Sequence, residues 1–239
     1  MADLVFITGA SRGLGAALAR TVPFPAHVID ISRTGGSSID IGHIGADLSD
    51  PSAWKPLGDE IRRLVDEHHP SRTLLIHNAG VLEPIGFAGE VDTDAYVSNV
   101  VVNSGAGQAV GHLYLRAVAG RTGRHELIMI SSGAARGVYP GWSSYGAGKA
   151  ALDQWVRNVG AEQEIRGGVT VAAIAPGVVD TDMQELIRDT DEADFPSVGR
   201  FHDLKRDGDL VDPEIAASRV WTAIESGLAS GSVVDVRDF

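Results

Sequence analysis

Seven short apolar runs punctuate this chain, and most are apolar at successive positions rather than at every second one. They are Leu4–Thr8, His27–Ser32, Ile44–Asp47, Thr73–Asn78, Glu126–Ser131, Val169–Ala175 and Val233–Val236. A strand of that kind must be covered on both faces. Between the runs lie stretches with helical spacing: Gly13–Thr21, Ser52–Glu67, Asp92–Ala119, Ser143–Arg166 and Pro213–Gly227. Strands separated by crossover helices predict parallel pairing. The expected fold class is therefore α/β, one doubly wound domain over residues 1–239 with a parallel seven-stranded sheet flanked by helices. Its ligand crevice should lie at the carboxyl ends of the strands, which here run into Gly, Asn or Ser. The stretch 181–211 breaks the alternation. It is polar, with a helical fragment at Met183–Arg188, and reads as a substrate-lid insertion. Gly-Gly-Ser-Ser at 35–38 reads as a loop.

Composition narrows the partners. The apolar fraction of 44% and charged fraction of 22% suit an ordinary globular chain and exclude a disordered one. A net charge of −12, spread along the chain, argues against nucleic acid as a ligand. The chain has no Cys, hence no disulfide and no thiolate metal site, and no metal is expected. Asp3 stands where a secretory leader carries Lys or Arg, and no run approaches a membrane span, so the expected address is cytoplasmic.

Two local patterns carry chemistry. After the first apolar run comes Thr8-Gly9-Ala10-Ser11-Arg12-Gly13-Leu14-Gly15, followed by an Ala/Leu-rich helix. Glycines there permit a tight turn and close approach of backbone to a pyrophosphate, with the helix N–H groups facing the anion. Further on, Ser132 is followed by Tyr145 and Lys149. On a helix Tyr145 and Lys149 share a face. An ammonium there can lower a phenol pKa from its ordinary value near 10, making it a usable acid at neutral pH, while a serine hydroxyl holds the reacting oxygen.

With that glycine spacing and that trio, the chain resembles the short-chain dehydrogenase/reductase family along essentially its whole length, which implies a Rossmann-type fold. Further motifs match in order. Asp47, with Leu48, resembles the site that meets adenine, and Asn78-Ala79-Gly80 resembles the turn after the fourth strand. Asn103 matches the family's catalytic Asn, and Pro176-Gly177-Val178-Val179-Asp180-Thr181 the segment whose Val179 and Thr181 hold the nicotinamide carboxamide. The resemblance implies roles: Tyr145 as the acid, Ser132 as donor to the reacting oxygen, Lys149 lowering the Tyr145 pKa and binding ribose, and Asn103 holding a water that links Lys149 to solvent. His77 stands where the family usually has a second Asn, and no role is assigned to it.

The nucleotide is expected to be NADP(H). Asp30 could bind a ribose 2′-hydroxyl, as in NAD enzymes. From the family spacing, however, the discriminating position falls on Ser32, with Arg33 beside it. Arg12 lies where NADP-binding relatives carry a cation, and two guanidinium groups match a dianionic phosphate. Gly9, Ser11, Gly13, Leu14 and Gly15 complete the expected contacts.

For substrate, the second half resembles sepiapterin reductases and bacterial benzil reductases. Tyr139, Trp142 and Met183 fall on positions lining the pocket, and Asp235 on the carboxylate that anchors a pterin. Aromatic and thioether walls suit a flat substrate. The expected reaction is NADPH-dependent reduction of one carbonyl of a small 1,2-dicarbonyl such as benzil. Alternatives are sepiapterin reduction, 3-oxoacyl carrier-protein reduction and a non-catalytic NADPH-sensing regulator. The resemblance implies a homodimer through the helices at 92–119 and 143–166, with a tetramer left open, and glycines 105, 107 and 111 are expected to permit the close approach.

Overall fold

The computed structural model describes residues 2–36 and 40–239, so Ser37 and Ser38 of the loop read at 35–38 lie outside the described residues. Its strands are β1 (Asp3–Thr8), β2 (Ala26–Ser32), β3 (Gly42–Gly45), β4 (Arg72–His77), β5 (Arg124–Ile130), β6 (Thr170–Ala175) and β7 (Val233–Asp235). All pairings are parallel, in the order β3-β2-β1-β4-β5-β6-β7. The helices are α1 (Gly13–Arg20), α2 (Trp54–His68), α3 (Thr93–Val100), α4 (Gly107–Val118), α5 (Ser143–Arg166), α6 (Asp182–Arg188), α7 (Val198–Asp207) and α8 (Pro213–Glu225). None of the described helices is long and apolar enough to cross a membrane.

The unbroken apolar strands have the expected cause. Leu4 and Phe6 of β1 join Leu75, Leu127 and Met129 under α2, α4 and α5. Val5 and Ile7 point the other way and join Leu74, Ile76, Ile128 and Ile174 under α1 and α8. Both faces are covered, so alternation would have placed polar groups in one core.

Three boundaries differ from the sequence expectation. β3 is two residues earlier than Ile44–Asp47, because its edge pairing with β2 begins at Gly42, opposite Ile29. The helix expected over Asp92–Ala119 is not uniformly α: a π-type stretch at Val101–Ala106 joins α3 to α4, widening the turns around Asn103. Between 181 and 211 the chain is more ordered and more apolar than its composition suggests. Besides α6 it forms α7, and it buries Ile187, Phe195, Val198 and Phe201.

The glycines expected to admit a second subunit face the chain's own core. A Cβ on Gly105 would meet Trp54 at 3.3 Å, and one on Gly107 would meet Leu152 at 2.7 Å. On Gly111 it would lie 2.5 Å from the Trp155 ring and 2.9 Å from Met129 Cε. These positions let α4 lie close to α2 and α5 within one subunit. Gly111→Ala overpacks that contact and should cost about 1–3 kcal/mol in denaturant unfolding; an unchanged midpoint would show that the contact yields freely.

Candidate active site

The candidate catalytic trio is assembled from the turn after β5 and from α5. β5 ends at Ile130 and hands on to Ser131 and Ser132, whose Oγ accepts from the Ala134 N–H at 3.1 Å and so caps the 3-10 turn Gly133–Ala135. Tyr145 and Lys149 lie one turn apart on α5, 8% and 4% exposed. Lys149 Nζ donates to the Ile130 carbonyl at 2.8 Å, tying the ammonium to the strand end that positions Ser132. Gly80 lies against them: a Cβ there would come within 3.0 Å of Asn103 Oδ1 and 3.5 Å of Lys149 Nζ.

Burial pushes the Tyr145 phenol above its ordinary pKa, and the Ser132 hydroxyl draws it partly back. The Lys149 ammonium is bonded to Ile130 and lies 5.9 Å from the centre of the phenol ring. Lys149 is itself lowered to about 8 by burial, opposed by the Asp153 carboxylate one turn further along α5. Burial raises Asp153 in turn, against the Ser131 hydroxyl that donates to it at 2.6 Å and the nearby charges of Arg157, Arg136 and Lys149. Ser131 and Asp153 are site neighbours the sequence reading missed, because nothing local links residues 22 positions apart.

Asn103 is fully buried. Its Nδ2 donates to the Val81 carbonyl at 2.6 Å and to Asn99 Oδ1 at 2.8 Å, while its Oδ1 accepts from the Val81 N–H at 3.0 Å. With both side-chain donors engaged, the amide braces the segment after β4.

The glycine loop lies between β1 and β4, where the strand order reverses. Gly9 and Gly13 take φ values of +69° and +55°, and a Cβ on Gly15 would lie 2.1 Å from the Gly9 carbonyl oxygen. No side chain caps α1, so its first N–H groups remain available to an anion. A cleft beside the loop is lined by Ser11, Ala16, Arg20, Asp30, Gly36 and His43. A Cβ on Gly13 would touch Thr181 Cγ2 at 3.3 Å, so the turn after β6 faces the loop. These residues fit a dinucleotide: a glycine-lined approach for the pyrophosphate, an uncapped helix start, and Lys149 and Thr181 at the far end.

Several expected contacts are engaged within the chain. Asp30 is buried: its Oδ1 accepts from the Ala10 N–H at 2.9 Å and its Oδ2 from Ser32 Oγ at 2.7 Å. Ser32, expected to discriminate the nucleotide, therefore gives its proton to Asp30, and its Oγ also accepts from the Gly35 N–H at 3.0 Å. Asn78 Nδ2 donates to the carbonyls of Thr8 and Gly9, each at 3.2 Å, and shapes the loop. Leu14, Leu48 and Val179 bury their side chains, leaving only backbone to face a ligand. Asp47 is exposed, and its carboxyl is held low by the Ser49 hydroxyl and N–H, with Arg33 adding a smaller pull. Arg12 is exposed and pairs with Asp182 at 3.2 Å. Pro176 and Gly177 form the turn after β6, with Gly177 at φ +79°.

Around the phenol stands an aromatic wall. The Trp142 ring stacks on Phe195 at 4.5 Å, crosses Tyr145 edgewise at 5.7 Å, and lies 5.0 Å from Tyr139. Met183 packs against the same cluster. Tyr139, Trp142 and Met183 are thus brought together as expected. Phe195 and Phe201 were missed because their surroundings are polar in sequence. Asp235 is not presented to this wall as a free acceptor: Arg237 Nε binds its Oδ1 at 2.7 Å and Arg237 Nη2 its Oδ2 at 2.6 Å.

Sheet order, glycine loop and trio together define a nicotinamide-dependent oxidoreductase acting on CH–OH/C=O groups. The chain belongs to the short chain dehydrogenase family, whose family model matches residues 3–192. It is 33% identical to the benzil reductase ((S)-benzoin forming) of Bacillus subtilis, over 99% of each chain. It is 30% identical to the sepiapterin reductase of Rattus norvegicus, over 97% of this chain and 95% of that one. The solved structure of the KRED1-Pglu enzyme superposes with a TM-score of 0.81 at 29% identity, covering 97% of this chain and 100% of that chain.

Because the Asp153 charge sustains protonation of Lys149, Asp153→Asn should move the Lys149 titration below its value of about 8, by about one pH unit. The alkaline limb of the pH–rate profile should follow it downward. A limb that stays in place would show that the carboxylate does not act on the ammonium.

Proposed function

We propose that the protein is an NADPH-dependent reductase of small 1,2-dicarbonyl compounds, of which an aromatic diketone such as benzil is the type, reduced at one carbonyl to a hydroxyketone. The observation that carries this reading is the aromatic wall beside the buried Tyr145 phenol, in which Trp142 meets Tyr145 edgewise, is flanked by Tyr139 and is backed by the fully buried Phe195. A flat conjugated substrate laid on that wall brings its carbonyl oxygen to the phenol. The benzil and sepiapterin reductases among its relatives support the substrate class.

A bound nicotinamide nucleotide supplies the hydride for the carbonyl carbon. The chain's part is to control charge on oxygen. Tyr145 gives its proton to the carbonyl oxygen, and its raised pKa keeps that proton in place at neutral pH. Ser132 donates a hydrogen bond to the same oxygen, one that strengthens as negative charge gathers there. Lys149, charged below about pH 8, stabilises the phenolate that remains. The wall around Trp142 excludes water, so these few dipoles act in a medium of low dielectric.

NADP(H) rather than NAD(H) is supported by Asp30, whose two carboxylate oxygens are engaged within the chain, and by two exposed cations, Arg12 next to Ser11 of the cleft and Arg33 next to Ser32. The Arg12–Asp182 pair is too exposed to hold Arg12 against a phosphate dianion. We also infer a homodimer in the cytoplasm, through the outer faces of α3 to α5, where Val97 and Val100 are exposed.

The first test is NADPH oxidation with benzil, sepiapterin and an acetoacetyl thioester. Benzil should turn over fastest. Preference for the thioester would favour a carrier-protein reductase, and no turnover with any of the three would sink the enzymatic reading. Tyr145→Phe should lose about 10²–10⁴-fold in turnover with NADPH binding nearly intact; normal turnover would remove the phenol from the mechanism.

Replacing Arg12 and Arg33 together by Ala should raise the KM for NADPH by at least about tenfold more than that for NADH, as expected when two charge-assisted contacts are lost. Equal effects on the two nucleotides would remove the phosphate-binding role.

A further inference from the structure

We propose that His77 is a positioning residue of the nucleotide cradle, acting through the hydroxyl of Thr8. The inference rests on reading the glycine loop as that cradle. His77 ends β4 beside Thr8, which ends β1, and the two are register partners in the sheet. Three groups converge on Thr8 Oγ1: the N–H of Asn78 at 3.0 Å, the N–H of Ala79 at 3.0 Å, and Nδ1 of His77 at 3.1 Å.

A hydroxyl offers two lone pairs and one proton. The two backbone N–H groups can only donate, so they take both lone pairs. The proton of Thr8 is left for His77, whose Nδ1 must then be an acceptor. That fixes the ring as the neutral tautomer carrying its proton on Nε2. Full burial, with the Lys149 charge nearby, disfavours the imidazolium and agrees with this assignment.

The Nε2–H has no partner among the described residues. It lies against Gly107, where a Cβ would come within 3.1 Å, just beyond the π-type stretch that carries Asn103. A buried donor without an acceptor costs stability. The work that offsets this cost is done by the other nitrogen. By holding the Thr8 proton, Nδ1 keeps both lone pairs of Oγ1 on the 78–79 turn. That turn is the floor of the glycine loop: a Cβ on Gly9 would lie 3.1 Å from Ala79 Cα, and Asn78 Nδ2 holds the Thr8 and Gly9 carbonyls. Without an acceptor at residue 77 the hydroxyl rotates toward another one, releases an N–H of the turn, and the loop loses its fixed distance from the pyrophosphate.

The test is calorimetric titration of the full-length protein with NADP⁺ and, separately, NAD⁺, the tighter binder to wild type serving as reference. Wild type is compared with His77→Leu, His77→Asn, Thr8→Val and the Thr8→Val/His77→Leu pair. His77→Leu should weaken nucleotide binding about tenfold, as for one lost hydrogen bond, with the KM for the carbonyl substrate unchanged. His77→Asn, whose amide oxygen can still accept from Thr8, should recover to within about threefold of wild type. The pair should bind no more weakly than Thr8→Val alone, because both act through one hydroxyl. Unchanged binding in His77→Leu, failure of His77→Asn to recover, or additive losses in the pair would each overturn the role. If wild type bound neither nucleotide, the cradle reading would fall first and this role with it.

Discussion

Everything in the site depends on the pairing of β1 with β4 across the point where strand order reverses. β2 and β3 lie to one side of β1, and β4 to β7 to the other, so the connections leaving β1 and β4 diverge to opposite faces of the sheet. A crevice opens between them at their carboxyl ends without any special side chain to prop it open. Thr8 and His77, side by side at the ends of those two strands, close its floor. The loops that leave from there, one with the glycines and one with Asn78, hold each other by hydrogen bonds formed before any ligand is considered.

Around that crevice the charges divide into buried ones, Asp30, Lys149 and Asp153, and exposed ones, Arg12, Arg33 and Asp47. Lys149 is a buried ammonium with a backbone carbonyl and one carboxylate within reach, which is why its pKa falls only to about 8 rather than further. The same burial raises the Tyr145 phenol. The two shifts run in opposite directions from one cause, loss of water, which disfavours the charged form of each group. They leave the phenol protonated and the lysine mostly charged at neutral pH, the combination an acid catalyst needs before it reacts.

Much of this was legible in the sequence because it follows from local rules. Strands buried on both faces are mostly apolar at successive positions, and a phosphate-binding turn needs its glycines, so the sheet could be read from seven apolar runs and the expected cradle from residues 9–15. The trio was legible because helical spacing places Tyr145 beneath Lys149. What was not legible depends on partners distant in sequence. Ser32 and Asp235 look like free ligands until Asp30 and Arg237 are seen to engage them. The glycines of α4 look like an invitation to another subunit until Trp155 and Leu152 fill the space. Phe195 and Phe201 sit among acidic residues, and only the fold turns both rings toward Trp142. His77 showed in the sequence only as a departure from the family's second Asn, since its meaning lies in the proton count at a hydroxyl 69 residues away.

The glycine-loop end and the aromatic end of the proposed site are held by different forces. Among the described residues two ionic links join them, Arg12 to Asp182, with side chains 77% and 74% exposed, and Lys205 of α7 to Asp180 of the turn after β6, 51% and 38% exposed. Such pairs each contribute less than about 1 kcal/mol. The cradle is fixed by buried backbone hydrogen bonds to Thr8 and Asp30, whereas α6 is fixed by apolar contact of Met183 and Ile187 with the cluster around Trp142. A substitution among the aromatic residues therefore repacks the substrate wall without loosening the glycine loop, and a change in the loop leaves the wall standing. The trio on the turn after β5 and on α5 lies between the two, tied to neither by a side-chain bond except through Lys149 and the end of β5. The chemistry can stay constant while nucleotide and substrate preferences change independently on either side of it.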